Sequence, residues 1–374
     1  MPFVVPCARL RATMGSRKSG ENGHANLRRS STSDVVRPAS LRDLADYLGL
    51  APATISLVMN RAPVANTIPL DTRNRIFEAA HKFGYRPNFF ARCLRAQRSF
   101  TIGVLTPEVS EGYNATVLSG IEDHLLREGY FYFVASHRFQ PDLIEEYPDL
   151  LQYRSVDGII VLTAPWHREL PLPVVTISCH HHVKGVTRII LDHHRAAELA
   201  LQHLWGLGHS DIAIIKGQSF TPDSEVRWKM IAQIAAQAGR PISSKLVVQL
   251  EDNLASPDLG YHAAKKLFAS GRHFTAVFAF NDLAAIGSMR AVHEHGLRVP
   301  QDVSIVGFDD IDSAAYQNPP LTTVRQPLKE MGRMAAQTVL SRIGMAGNES
   351  QEIVVEPELV VRATTAPARA QRSS

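Results

Sequence analysis

From Phe100 almost to the end of the chain, short apolar runs alternate with longer amphipathic stretches, and this alternation constrains the fold more than any other feature. The apolar runs are Thr101–Leu105, Tyr130–Ala135, Gly158–Leu162, Val174–Ile177, Ile212–Ile215, Leu246–Val248, Ala276–Phe280 and Val303–Phe308. Between most of them lie segments with apolar residues at helical spacing, for example Ala115–Glu128, Arg195–Leu207, Val226–Ala238, Leu259–Ser270 and Leu283–His295. Strand, helix, strand repeated this often builds βαβ units, which assemble into mostly parallel sheets with helices on both faces. The roughly 265 residues involved exceed one such sheet, so two α/β lobes are expected.

Composition and motif content exclude several classes. Hydrophobic residues at 45 % and charged residues at 20 % are ordinary for a globular chain, so a disordered or fibrous protein is excluded. The three cysteines, Cys7, Cys93 and Cys179, lie too far apart for a CxxC knuckle or a disulfide framework. No apolar run reaches the ~18 residues of a membrane span, and the N-terminus lacks the apolar core of a secretory signal. A cytoplasmic protein without membrane contact is expected. GxSxG, GxxxxGK[ST], GxGxxG and HExxH are all absent, so neither an enzyme nor a cofactor is expected.

The net charge of +4 is unevenly spread. Residues 1–40 carry seven Lys/Arg against two acids, residues 41–98 nine against four, and the remainder 24 against 30. A basic front on a mildly acidic body points to a polyanionic partner for the front. Residues 1–39 mix Arg, Ser, Gly, Asn and Pro without apolar periodicity and read as a disordered basic tail. From Ser40 the pattern changes. Ser40-Leu-Arg-Asp43 is a capping-box sequence, and Leu41, Leu44, Ala45 and Leu48 then fall on one helical face until Gly49 permits a left-handed turn. A second helix over Pro52–Asn60 turns Ile55, Val58 and Met59 toward the first. A third over Asp71–Phe83 buries Ile76, Ala80 and Phe83, and Gly84 closes it. Two short helices joined by a Gly-containing turn and braced by a third form a helix-turn-helix.

The exact residues carry more than the spacing. The stretch Ser40 to Asn60 (SLRDLADYLGLAPATISLVMN), Thr72-Arg73 through Glu78-Ala-Ala80, and Gly84-Tyr-Arg-Pro-Asn88 together resemble the LacI/GalR family of bacterial transcription regulators. The resemblance continues through Ile102-Gly-Val104, Val156-Asp-Gly-Ile159, Leu207-Gly-His209, Asn281-Asp282, Val306-Gly-Phe-Asp-Asp310, Pro320-Leu-Thr-Thr323 and Leu359-Val-Val-Arg362, and so covers about residues 40 to 365. It implies a helix-turn-helix domain at 40–86, a hinge helix or linker at 87–98, a two-lobed, periplasmic-binding-protein-like effector and dimerisation domain at 99–365, and a flexible tail at 366–374.

By resemblance, the partners are double-stranded operator DNA, a sugar or sugar-acid-like effector, and a second copy of the chain in a dimer. Pro52, Ala53 and Leu57 match base-facing positions of the second helix, and Thr54, Ser56 and Asn60 match phosphate-side ones. Leu41, Tyr85, Asn88 and Ala91 match further DNA contacts, and Leu94 matches the leucine that wedges into the minor groove. Ala51 and Leu57 stand where many relatives have Ser and Arg. In the core, Arg227, Asn281 and Asp309 match effector-binding positions at the carboxyl ends of strands, where α/β sheets place their ligands. Tyr113 matches a first-lobe contact of the pocket, Ser178 stands where some sugar-responsive members have Asp, and Leu254 or Ala255 stands where an aromatic often stacks on the ligand. Crossovers between the lobes are expected near Asp192 and near Thr322–Gln326. Cys179-His180-His181-His182 offers metal-ligand chemistry, but adjacent residues rarely converge on one ion, so it reads as a solvated loop, with His193-His194 opening a helix and no metal expected. Repression is the usual sign in the family. Activation, or a solute-binding protein without DNA function, are the alternatives at this point.

Overall fold

The computed structural model describes residues 39–60, 62–85, 93, 96–110, 112–252, 256–345 and 350–369. The basic tail up to residue 38 lies outside the described residues, as do Asn88, Ala91, Leu94, Leu254 and Ala255. The chain divides into two compact units between Phe89 and Phe90.

In the first unit Ser40 caps α1 (Leu41–Leu48). The Asp43 N–H donates to the Ser40 hydroxyl at 3.3 Å, and the Ser40 N–H donates to the Asp43 carboxylate at 2.6 Å, which is the reciprocal capping box. Gly49, at φ 64°, ends the helix in the left-handed region that glycine adopts without strain. Pro52 opens α2 (Pro52–Met59), a 3-10 turn covers Pro63–Thr67, and α3 runs over Leu70–Lys82. Leu44, Ala45, Ile55, Val58, Ala65, Ile76 and Ala80 close a small core between them. Phe83, expected in that core, is exposed instead. The helix stops at Lys82, so Phe83 leaves the buried face and its ring packs edge-on against Tyr47 at 4.8 Å.

The second unit holds two six-stranded sheets. The first is built from β1 (Thr101–Thr106), β2 (Phe131–Ser136), β3 (Gly158–Leu162), β4 (Val174–Ile177), β5 (Val186–Leu191) and β11 (Gln351–Val355), in the order β11-β5-β4-β3-β1-β2. All its neighbours run parallel. The second contains β6 (Ile212–Lys216), β7 (Val247–Gln249), β8 (Ala276–Ala279), β9 (Ser304–Asp309), β10 (Thr322–Arg325) and β12 (Glu358–Val360), in the order β12-β10-β9-β8-β6-β7, with only β12 antiparallel. The central strands are buried along their whole length, as strands covered on both faces must be.

Helices α4 (Tyr113–Arg127), α5 (Pro141–Tyr153) and α11 (Leu328–Arg342) belong to the first lobe. The second lobe has α6 (His193–Gly206), α7 (Pro222–Gln237), α8 (Pro257–Ala269), α9 (Asp282–Glu294) and the single turn α10 (Asp312–Ala315). Two helix pairs touch backbone to backbone. A methyl group on Gly120 or Gly332 would fall on a carbonyl of the facing helix in the α4–α11 pair, and one on Gly260 or Gly287 would do the same between α8 and α9.

The chain changes lobe three times: at Asp192 between β5 and α6, at Gln326 between β10 and α11, and at residues 356–357 between β11 and β12. The third crossover, and strands β5, β10, β11 and β12, were not legible as apolar runs. β5 and the edge strand β11 carry polar residues, and their register is helped by an ion pair across them, Arg188 to Glu352 at 2.6 Å. Residues 366–369, expected in a flexible tail, are fixed. The Ala368 N–H donates to the Leu207 carbonyl at 2.8 Å, the Ala366 carbonyl meets His209 Nε2 at 3.0 Å, and Arg369 pairs with Asp302.

Candidate functional site

In the helical unit the start of α2 is presented to solvent. Pro52 and Ala53 are exposed there, and Ala51 supplies no side-chain cap, so the positive end of the helix is left open. Thr54 and Ser56 are half-buried. Asn60 is exposed, yet its amide already donates to the Ser56 carbonyl at 2.8 Å and to the Ser56 hydroxyl at 3.2 Å, closing the end of α2. Leu57, Leu41 and Tyr85 are each partly buried against the small core. Burial raises the Tyr85 phenol above its usual pKa.

The second site is a cleft in the second unit, open to solvent. Its walls come from both lobes and from the carboxyl ends of the parallel strands. Glu108 follows β1, Phe139 follows β2 and Thr163 follows β3, while Gln218, Phe280 and Asp309 stand at or beyond the ends of β6, β8 and β9. Four of the five expected effector residues, Tyr113, Arg227, Asn281 and Asp309, line it. Ser178 does not. It lies buried behind the wall, where its hydroxyl shares a 2.7 Å hydrogen bond with the Tyr113 hydroxyl.

Each of these groups is held from behind. Asn281 caps α9, its side-chain oxygen accepting from the Ala284 N–H at 2.8 Å. The Arg227 guanidinium donates to the Phe280 carbonyl and lies over the Phe308 ring at 3.5 Å. Asp309 accepts from the Gln326 amide at 2.7 Å, so the second crossover touches the cleft. Burial pushes the Asp309 carboxyl up to about 7, although Arg227 and Gln326 work against the rise. Asp282, beneath the cleft floor, accepts from Thr323 at 2.5 Å and from the Ile311 N–H at 2.8 Å. Its own carboxyl is pushed well above the carboxylate range by burial and by Asp309. Several buried polar atoms have no partner among the described residues, including Asn114 Oδ1, Thr163 Oγ1 and Arg227 Nε in the cleft wall and Gln326 Oε1 beside Asp309. A buried polar atom without a partner costs roughly 1–3 kcal/mol, so a ligand that supplies partners is favoured.

Sequence reasoning missed Asp223, Gln326 and the role of His180. The stretch read as a solvated loop is partly inside: Cys179 is buried and His180 half-buried, and only His181 and His182 are exposed. His180 Nε2 stands 2.6 Å from Asp223 Oδ1, and His193 Nε2 stands 3.2 Å from the same oxygen. Burial alone would raise the Asp223 carboxyl, but His193 and His180 outweigh it and hold it well below the usual range. Burial lowers the His193 imidazole, and Asp223 works against that shift. The three residues lie far apart in the sequence, on a turn and on two helix starts. Only the fold brings them together.

Comparison with known proteins completes the picture. Residues 201–365 match the family of periplasmic binding protein-like domains. The HTH-type transcriptional repressor PurR of Pasteurella multocida is 30 % identical, over 87 % of this chain and 98 % of its own length. A lac repressor dimer solved bound to operator and the anti-inducer ONPF superposes with a TM-score of 0.75 at 25 % identity, covering 88 % of this chain and all of that one. The transcriptional regulator CelR in complex with cellobiose gives a TM-score of 0.64 at 27 % identity, covering 87 % and 99 %.

Proposed function

The chain belongs to the LacI family of bacterial transcriptional regulators, and from that premise we propose that it represses transcription by binding a palindromic operator as a dimer, under the control of a small hydroxylated or carboxylated metabolite in the cleft. Members of this family are regulators and not enzymes. A repressor of this kind works on the chromosome, in the cytoplasm at the nucleoid. The observation that carries the ligand half of the reading is the cleft itself. Unpartnered polar atoms of Asn114, Thr163 and Arg227 line the same cleft as Asn281 and Asp309, at the ends of the parallel strands of two sheets. Such a set of donors and acceptors suits the hydroxyls of a sugar or sugar acid, and Phe139 and Phe280 offer apolar faces to its ring.

On the DNA side, α2 enters the major groove with Pro52 and Ala53 against base edges. Thr54, Ser56 and Asn60 set the register on phosphates. In this reading Leu41, Tyr85, Asn88, Ala91 and Leu94 also touch the operator, the last as a minor-groove wedge. Closure or opening of the lobes around the metabolite changes how the two DNA-binding units of the dimer are spaced.

The test has two halves. Selected oligonucleotides identify the operator, and a thermal-shift screen of sugars and sugar acids identifies the metabolite. Asp309→Ala should then weaken that metabolite by about 10–150-fold in calorimetry while operator affinity stays within about twofold of wild type. Equal metabolite affinities would remove Asp309 from the site, and failure to select any operator would remove the DNA-binding half.

A further inference from the structure

Two histidines that do not line the effector cleft, and one aspartate in its wall, converge where the lobes meet. His180 lies in the turn after β4 of the first lobe. His193 is the first residue of α6, just past the first crossover, and Asp223 is in the first turn of α7 in the second lobe. Both imidazoles aim Nε2 at one carboxylate oxygen, at 2.6 and 3.2 Å, and the three atoms all lie within 4.8 Å of one another. The side chains of His193 and Asp223 are 3 % and 6 % exposed, whereas that of His180 is 19 % exposed, so one side of the cluster reaches solvent.

Two features separate this cluster from a plain hydrogen-bonded pair. The carboxylate oxygen of Asp223 that meets the imidazoles is not the one paired with the nearby arginine. The other oxygen stands 4.0 Å from Arg227, whose guanidinium is held by the Phe280 carbonyl and the Phe308 ring and has Asp309 as a second counter-charge. The atoms also have nearly the right spacing. Ligand atoms of a tetrahedral zinc ion at ordinary bond lengths stand about 3.3 Å apart. The His193–Asp223 distance of 3.2 Å matches, and the His180–Asp223 distance of 2.6 Å would have to lengthen by rotation of the half-buried His180 ring.

We propose that His180, His193 and Asp223 form a binding site for a borderline divalent metal ion of the zinc class, held by two imidazole nitrogens and one carboxylate oxygen, with the remaining position taken by water. Because His180 belongs to one lobe and Asp223 to the other, the ion would tie the lobes together beside the effector cleft and add a second input to lobe closure. Each imidazole would ligate as its neutral Nδ1–H tautomer: a single proton on Nε2 exchanges through solvent to Nδ1, and a doubly protonated ring releases its Nε2 proton to solvent.

Zinc ion alone is the probe. The full chain, stripped with a chelator, should bind one zinc per chain in competition calorimetry, and cobalt(II) should give the visible absorption of a four-coordinate site with mixed nitrogen and oxygen ligands. His180→Asn keeps a polar bridge to Asp223 but cannot ligate in the same way. It should leave circular dichroism and melting of the metal-free protein near wild type while weakening zinc by at least about a hundredfold, since even indirect supports of a metal site are worth 10–100-fold. Zinc should raise the melting temperature of the wild type and not that of the variant. His181 and His167, whose rings lie 4.5 Å apart at the surface, are the control. The proposal is overturned if the wild type takes up no stoichiometric zinc, if His180→Asn binds it equally well, or if binding is lost in His181→Ala and retained in His180→Asn.

Discussion

At the scale of the residue, the cleft joins a guanidinium to a carboxyl whose charge depends on burial. Asp309 has an ordinary pKa of 3.8 and sits near 7 in the folded chain, so between about pH 4 and pH 7 the folded state holds a proton that the unfolded state has released. Its contribution to stability therefore falls as pH rises through that window, by up to about 1.4 kcal/mol per pH unit, and levels off above it. Urea unfolding of wild type and Asp309→Asn across this range should show the variant gaining relative stability as pH rises, and parallel curves would contradict the assignment. The operator side offers a second residue-level prediction. Leu57 rests against the small core, and an apolar side chain cannot make the bidentate guanine contact. An arginine stem can cover the same surface while its head reaches out. Leu57→Arg should thus favour guanine at one half-site position by roughly 5–150-fold, beyond the uniform gain from added charge. Anisotropy with all four bases at fixed salt separates the two effects. That Asn281, Arg227 and Asp309 line the cleft was legible in the sequence because each follows an apolar strand or belongs to a family motif. Asp223 and Gln326 were not, since their role exists only once the crossovers bring distant segments side by side.

At the scale of the element, the apolar runs located the central strands because those strands are buried on both faces, where an uninterrupted run of Val, Ile and Leu is required. The edges escaped because half of each edge strand faces water. Helix starts were read a few residues late for a related reason. Pro222, Pro257 and Asp282 begin α7, α8 and α9 as first-turn residues and carry no apolar period of their own. The two backbone-to-backbone helix pairs give a sharper test. Gly332→Ala puts a methyl group on the Val117 carbonyl, and Gly287→Ala puts one on the Pro257 carbonyl, with no flexible side chain able to yield. Each should cost about 2 kcal/mol or more of stability by overpacking, even though alanine is the better helix former. Chemical denaturation measures it. A neutral or stabilised variant would mean that the helices separate at little cost.

At the scale of the whole molecule, one surface of the second unit is unusually apolar. Phe131 and Phe133 of the edge strand β2 are 59 % and 38 % exposed, and Leu126 at the end of α4 is 61 % exposed. Exposed aromatic clusters on an edge strand invite association, and in the dimer proposed above a second copy of the chain is the occupant. Phe133→Glu should shift the protein toward monomer in light scattering and weaken operator binding, with lobe folding intact by circular dichroism. An unchanged dimer would place the interface elsewhere. The three crossovers have a different consequence, for the order in which the molecule is made. The first lobe needs α11 as a face and β11 as an edge, and the second lobe needs β12 and the pinned residues 366–369. The helical unit is complete once Tyr85 has emerged from the ribosome, but both lobes wait for the same last stretch of chain beyond Gln326. A nascent chain stalled there carries a finished DNA-binding unit and two unfinished sheets with bare apolar faces, the form that chaperones and proteases would meet first.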